Sequence, residues 1–144
     1  MSGRSTRVPR RSLLAGAALL GMAPLRWAQA SPDERRFHEA ALAMRERALS
    51  WGDQPYGAVL VQDGRIVGEG PSRVVLNGDP TAHAEREAIR DAQRRLGRQS
   101  LAGSVLYSTS RPCLACEAAA AQAQVARLVH GPALTDAGAP RLKP

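Results

Sequence analysis

The chain has 144 residues, 44% apolar and 23% charged, which fits one globular domain and excludes a disordered or low-complexity polymer. Its net charge of +7 is a poor sign of nucleic-acid binding. Five of the 20 basic residues lie in the first 30, which hold no acid, and the rest of the chain carries 15 basic against 13 acidic residues. Aromatic residues make up only 3%, and Lys143 is the sole lysine, so alanine and β-branched residues must fill the core and no single arginine carries much weight.

Residues 1–30 read as a leader. Arg4 to Arg11 is a positive segment, Leu13 to Ala23 a short apolar run, and Ala28-Gln29-Ala30 a small-residue cleavage site. The run is shorter than the ~20 residues a membrane-spanning helix needs. Arg10-Arg11-Ser12-Leu13-Leu14 resembles a twin-arginine signal, which predicts export to the periplasm and a mature chain from Ser31 with no stable membrane span. An ordinary secretory signal and an uncleaved anchor are the alternatives. No cysteine follows the apolar run, which argues against a lipoprotein.

The mature segment opens with Ser31-Pro32-Asp33-Glu34, an N-cap, a proline at the first helical position and acids in the first turn. A helix is expected from there to about Ser50, with Phe37, Ala40, Ala41, Met44 and Ala48 as its inward stripe. Gly57 to Val61 is a continuous apolar run, as in a strand buried on both faces. Asp63-Gly64 signals a hairpin, and Ile66 to Glu69 returns antiparallel. Pro71 to Gly78 reads as a loop. A second helix is expected from about Ala82 to Leu96, stopping at Gly97, with Ile89, Ala92 and Leu96 inward. Ser104 to Ser108 forms a third strand, Pro112 to about Ala126 a third helix, and Leu128-Val129 a short last strand. The order α-β-β-α-β-α-β gives an α/β fold, a mixed sheet with helices on both faces.

Two stretches carry chemistry: Asp79-Pro80-Thr81-Ala82-His83-Ala84-Glu85 and Pro112-Cys113-Leu114-Ala115-Cys116. Cys113 and Cys116 are three apart and share a helix face. His83 and Glu85 are two apart, and converge only where the metal lies off the end of their helix. Both helix N-termini then aim at the metal, where their positive ends favour thiolate and hydroxide. One imidazole and two thiolates hold zinc and leave a fourth position for water, whose pKa the metal lowers from 15.7 toward about 7. Glu85 is then free to move a proton between the water and a departing amine. Taken alone, Cys-x-x-Cys in an exported chain is more often a disulfide than a metal site. The pairing with His-x-Glu favours zinc.

The pattern H-x-E followed by P-C-x-x-C is that of zinc deaminases. The chain resembles the cytidine/deoxycytidylate deaminase superfamily over about residues 33–131, and within it the guanine deaminase and tRNA adenosine deaminase branches, which share the D-P-T-A-H-A-E form. The resemblance extends over Pro55-Tyr56-Gly57-Ala58-Val59, Gly68-Glu69-Gly70, Leu106-Tyr107 and Arg127-Leu128-Val129. It implies a three-layer α/β/α sandwich with a mixed sheet of four to five strands. His83, Cys113 and Cys116 would be the zinc ligands, Glu85 the proton shuttle, and the assembly a homodimer. Ser72 and Ala84 fall at positions implied to contact substrate, and Arg111, at the mouth of the site, is expected to meet an anionic or carbonyl-rich substrate, a solvated arginine being the alternative. Ser72 stands where those branches carry Asn, and Arg111 where the purine branches carry Glu. Leu134 to Pro144 reads as a tail, too short for the strand and helix that close the pocket in relatives, so the site is expected to be open or completed by a partner subunit. A free nucleobase or nucleoside is the expected substrate, guanine before cytosine-type compounds; the alternative is an exported zinc-binding or disulfide-bonded deaminase-like domain without catalytic activity. The modest charge and few aromatics disfavour a nucleic-acid partner.

Overall fold

The computed structural model describes residues 30–142, so the expected leader lies outside the described residues except for Ala30. The first helix, α1 (Pro32–Ser50), starts as its sequence dictates: the Ser31 hydroxyl accepts from Glu34 N–H and the Glu34 carboxylate accepts from Ser31 N–H. Two strands follow, β1 (Gly57–Gln62) and β2 (Arg65–Pro71), paired antiparallel. Their turn residues Asp63 and Gly64 have φ of 50° and 71°, the doubly left-handed geometry of the tight hairpin turn.

A one-turn helix, α2 (Val74–Asn77), lies where a loop is expected. Then come α3 (Ala84–Leu96), β3 (Val105–Ser108), α4 (Leu114–Gln122), β4 (Arg127–His130) and β5 (Thr135–Gly138). The sheet order is β2-β1-β3-β4-β5, with β3 and β4 parallel and the other pairs antiparallel. Among the described residues no helix is long and apolar enough to cross a membrane.

Strand alternation divides the core in two. Val59, Val61, Tyr107 and Val129 face Phe37 and Ala41 of α1. Ala58, Leu60, Leu106 and Leu128 face Ala84, Ala88, Ile89 and Ala92 of α3 and Ala120 of α4. This is the expected three-layer α/β/α sandwich. The α3 layer lies close because Gly68 and Gly70 present no side chain to it: a Cβ on Gly70 would collide with the Ala84 carbonyl oxygen and stand 2.5 Å from Ala88 N.

Four expectations need correction. α3 begins at Ala84 with His83 as its N-cap, and α4 begins at Leu114 with Cys113 as its N-cap, so Pro112 precedes the helix and is not its first residue. α4 ends at Gln122, well before Ala126, because Gln124 takes φ 63° while Gln124 and Val125 N–H close back on the Ala121 and Ala120 carbonyls. That is a Schellman stop without glycine. Leu96 is 37% exposed rather than inward. Finally, part of the presumed tail forms β5, antiparallel to β4, with Leu134 packed on the α1-side core.

Candidate metal centre and active site

The local sequence explains why His83 and Glu85 end up together. The Asp79 carboxylate accepts from both the N–H and the hydroxyl of Thr81, at 2.8 Å each, and Ala82 N–H closes on the Asp79 carbonyl. This tight turn delivers His83 in extended conformation, ψ 152°, just before the helix starts. His83 therefore sits off the end of α3 and Glu85 in its first turn, as convergence on one point requires.

Cys113 occupies the same place on α4. Its sulfur accepts from Cys116 N–H at 3.4 Å, so the thiol takes the capping role usually filled by a short polar side chain. The donor atoms of His83, Cys113 and Cys116 all lie within 4.8 Å of one another. His83 Nδ1 is 3.6 Å from Cys113 Sγ and 3.5 Å from Cys116 Sγ. Zinc bonds of about 2.3 Å to sulfur and about 2.05 Å to nitrogen, at a tetrahedral angle, would separate the donors by about 3.6 Å. The residues present fit the ion. Burial first, and then the Glu85 charge, push the Cys116 thiol well above its ordinary pKa. A divalent cation at the triad opposes both effects, since a coordinating thiol gives up its proton.

Glu85 is 4% exposed, and its Oε1 accepts from the buried Ser108 hydroxyl at 2.7 Å. Ser108 ends β3 on the face that Leu106 presents to α3, so strand alternation aims it at the first turn of that helix. Beside the triad lies a cavity of about 430 Å³ lined by Gln54, Tyr56, His83, Glu85, Ser110, Arg111 and Cys113. The cavity thus opens where the N-termini of two helices meet the C-terminal end of β3, a usual position for ligands in α/β sheets.

Of the residues the sequence singled out, His83, Glu85, Cys113 and Arg111 line this cavity, and Cys116 completes the metal triad from behind. Ala84 is fully buried in the α3-side core, so only its main chain is available to a ligand. Ser72 is not brought to the cavity. It is fully buried, its hydroxyl donates to Asp53 Oδ1 at 2.9 Å, and its N–H donates to the Tyr56 carbonyl. Asp53 also accepts from Gln54 N–H at 2.7 Å and Leu76 N–H at 2.8 Å. Burial acts to raise the Asp53 carboxyl, but the donors at Leu76, Gln54, Ser72 and Val75 outweigh it and hold the group below its ordinary value. Ser72 and Asp53 therefore clamp the cavity wall that carries Gln54 and Tyr56. Sequence reasoning missed Asp53, Gln54, Ser108 and Ser110. Only Ser108 had a signal, its even spacing from Leu106.

The description "cytidine and deoxycytidylate deaminase zinc-binding region" matches residues 31–131, and the chain belongs to that family. His83, Cys113 and Cys116 are the family's zinc-binding triad. Among curated relatives, the tRNA-specific adenosine deaminase of Haemophilus influenzae is 41% identical over 92 residues, 63% of this chain and 53% of the relative. The guanine deaminase of Bacillus subtilis is 42% identical over 83 residues, 58% of this chain and 53% of the relative. Among solved structures, one of a tRNA:A34 deaminase aligns with TM-score 0.65 and 41% identity, covering 67% of this chain and 70% of that one. That of the Bacillus subtilis guanine deaminase aligns with TM-score 0.65 and 36% identity, covering 67% and 62%. The chain spans about half to two thirds of the length of most curated relatives it matches, and less than a fifth of two longer ones.

Proposed function

We propose that this chain is a zinc-dependent hydrolytic deaminase of a free nucleobase or nucleoside, with guanine the first candidate and cytosine-type compounds next. One observation carries the proposal: the His83, Cys113 and Cys116 donors converge within 4.8 Å, and the buried Glu85 lines the same cavity. When bound, zinc supplies a water that loses its proton near neutral pH. The chain's own residues do the rest. Ser108 occupies one oxygen of Glu85 and fixes the carboxylate, which lines the cavity. Glu85 takes the proton from the attacking water as the C–O bond forms and passes it to the leaving nitrogen, whose C–N bond then breaks to release ammonia. The Ala84 main chain, in the α3 first turn where N–H groups lack helical partners, is offered as a substrate contact. Charge supports the free-base reading over a tRNA substrate. A tRNA needs a basic surface, and beyond residue 30 the chain carries only 15 basic against 13 acidic residues.

Ammonia release from guanine, cytosine, adenine and their nucleosides by the zinc-loaded chain tests this reading. Turnover of a free base or nucleoside supports it. Turnover of tRNA alone, or of nothing by a chain that holds zinc, contradicts it. We extend the proposal to a homodimer, for which the exposed Val75, Leu76 and Leu114 offer apolar surface, and light scattering decides the point. Residues 1–30 are proposed to export the folded chain. Replacing Arg10 and Arg11 by lysine should then stop translocation while leaving synthesis intact.

A further inference from the structure

The described arginines are heavily committed. Arg36, Arg45, Arg73, Arg90, Arg94, Arg95, Arg127 and Arg141 each form an ion pair. Arg35, Arg47, Arg65, Arg86, Arg98 and Arg111 form no ion pair among the described residues, and of these only Arg111, which is exposed, lines the cavity beside the metal triad. It lies two residues before the ligand Cys113, with Pro112 between them, so the main chain anchors beside the metal triad a side chain long enough to reach across a bound base. The cavity's acid, Glu85, does not neutralise it, being buried and bonded to Ser108. Guanidinium donates through a planar fork and accepts nothing, so it is best matched by a partner that offers two acceptors side by side.

The position of the reacting carbon limits which base can do that. When guanine places its amino-bearing C2 at the metal, O6 and N7 lie on the far edge of the purine, two adjacent acceptors that match the fork. Cytosine reacting at C4 offers O2 away from the metal. Adenine reacting at C6 offers ring nitrogens but no carbonyl. We infer that Arg111 is a specificity-determining residue that reads the O6/N7 edge of guanine and thereby selects an oxo-bearing base over adenine. This rests on the nucleobase-deaminase reading above and deepens it.

The test compares guanine with 2-aminopurine, which keeps the reacting C2 amino group and N7 but lacks O6. kcat/KM is measured for both with zinc-loaded wild type, Arg111→Ala and Arg111→Lys, zinc content being checked in each. A bidentate arginine–guanine contact discriminates by roughly tenfold to a hundredfold. The guanine-to-2-aminopurine ratio should therefore fall by about that factor in Arg111→Ala, with only partial recovery in Arg111→Lys. Misfolding or a general loss of activity lowers both rates and leaves the ratio where it was. An unchanged ratio in Arg111→Ala overturns the inference, and a full wild-type ratio in Arg111→Lys overturns the forked contact. Wild type that turns over neither compound defeats the guanine reading and the inference with it. Turnover with a ratio indifferent to residue 111 defeats the inference alone.

Discussion

Replacing Gly70 by alanine should damage the metal site from behind. The new Cβ would collide with the Ala84 carbonyl oxygen and would stand 2.5 Å from Ala88 N and 2.9 Å from Ala88 Cβ, where ordinary contacts begin at 3.4 Å. All of these atoms belong to α3, whose N-terminus carries His83 and Glu85, so the helix must retreat by about 1 Å from β2. Overpacking of this kind costs about 1–3 kcal/mol. At about 4 °C per kcal/mol for a domain of this size, Tm should fall by about 4–12 °C. The cysteines ride on α4 and stay behind, so zinc affinity should fall by roughly tenfold to a hundredfold, as it does when the support of a ligand is lost. Gly57→Ala provides the contrast. Its Cβ would strike the α1 backbone, 2.8 Å from the Met44 carbonyl carbon, and α1 carries no ligand. It should lower Tm comparably with little loss of zinc. Thermal melts and zinc competition titrations on both variants decide the matter. Wild-type zinc affinity in Gly70→Ala, or an equal loss in Gly57→Ala, would refute the coupling between helix seating and metal geometry.

Three further outcomes are expected. Ser108→Ala removes the 2.7 Å hydrogen bond to the buried Glu85 carboxylate, an interaction of about 1.5–3 kcal/mol, so kcat should drop roughly tenfold to a hundredfold while zinc content holds. The Asp53 carboxyl is held below its ordinary 3.8 in the folded chain, so its contribution to stability is fully present above that value and is lost as pH falls through the lowered folded value. The stability gap between wild type and Asp53→Asn in denaturant melts should accordingly narrow as pH drops through and below 3.8, and a gap independent of pH would contradict the assignment. Stripping zinc with a strong chelator should lower Tm, and free zinc at 100 times its dissociation constant should restore about 2.7 kcal/mol. A melt indifferent to metal would mean that the triad holds none.

What the sequence made legible was local. Ser31 and Glu34 cap α1 within four residues of each other, Asp63-Gly64 closes its hairpin by its own φ preferences, and the metal motif places its ligands at helix starts. Each feature depends on neighbours in the chain. The misses have a different origin. α4 stops on Gln124, a left-handed residue that lacks the glycine signal, and β5 pairs through Thr135 to Gly138, a polar edge segment without the apolar alternation that marks a strand. Ser72 is expected from the resemblance to contact substrate, yet its hydroxyl is bonded to Asp53, 19 residues away in sequence and on the opposite side of a hairpin. Ser108 meets Glu85 across 23 residues, a contact that only the assembled sheet creates.

The claim on which the rest depends is that Glu85 moves the proton at a zinc site built from His83, Cys113 and Cys116. It is tested most directly by Glu85→Gln, which keeps the shape and a hydrogen-bond acceptor for Ser108 but removes the base. Zinc per chain and ammonia release are measured together on this variant and on wild type. The account predicts one zinc per chain in both proteins, turnover by wild type, and a loss of at least roughly a hundredfold in the variant. Comparable turnover by the two proteins, each holding its metal, would contradict it.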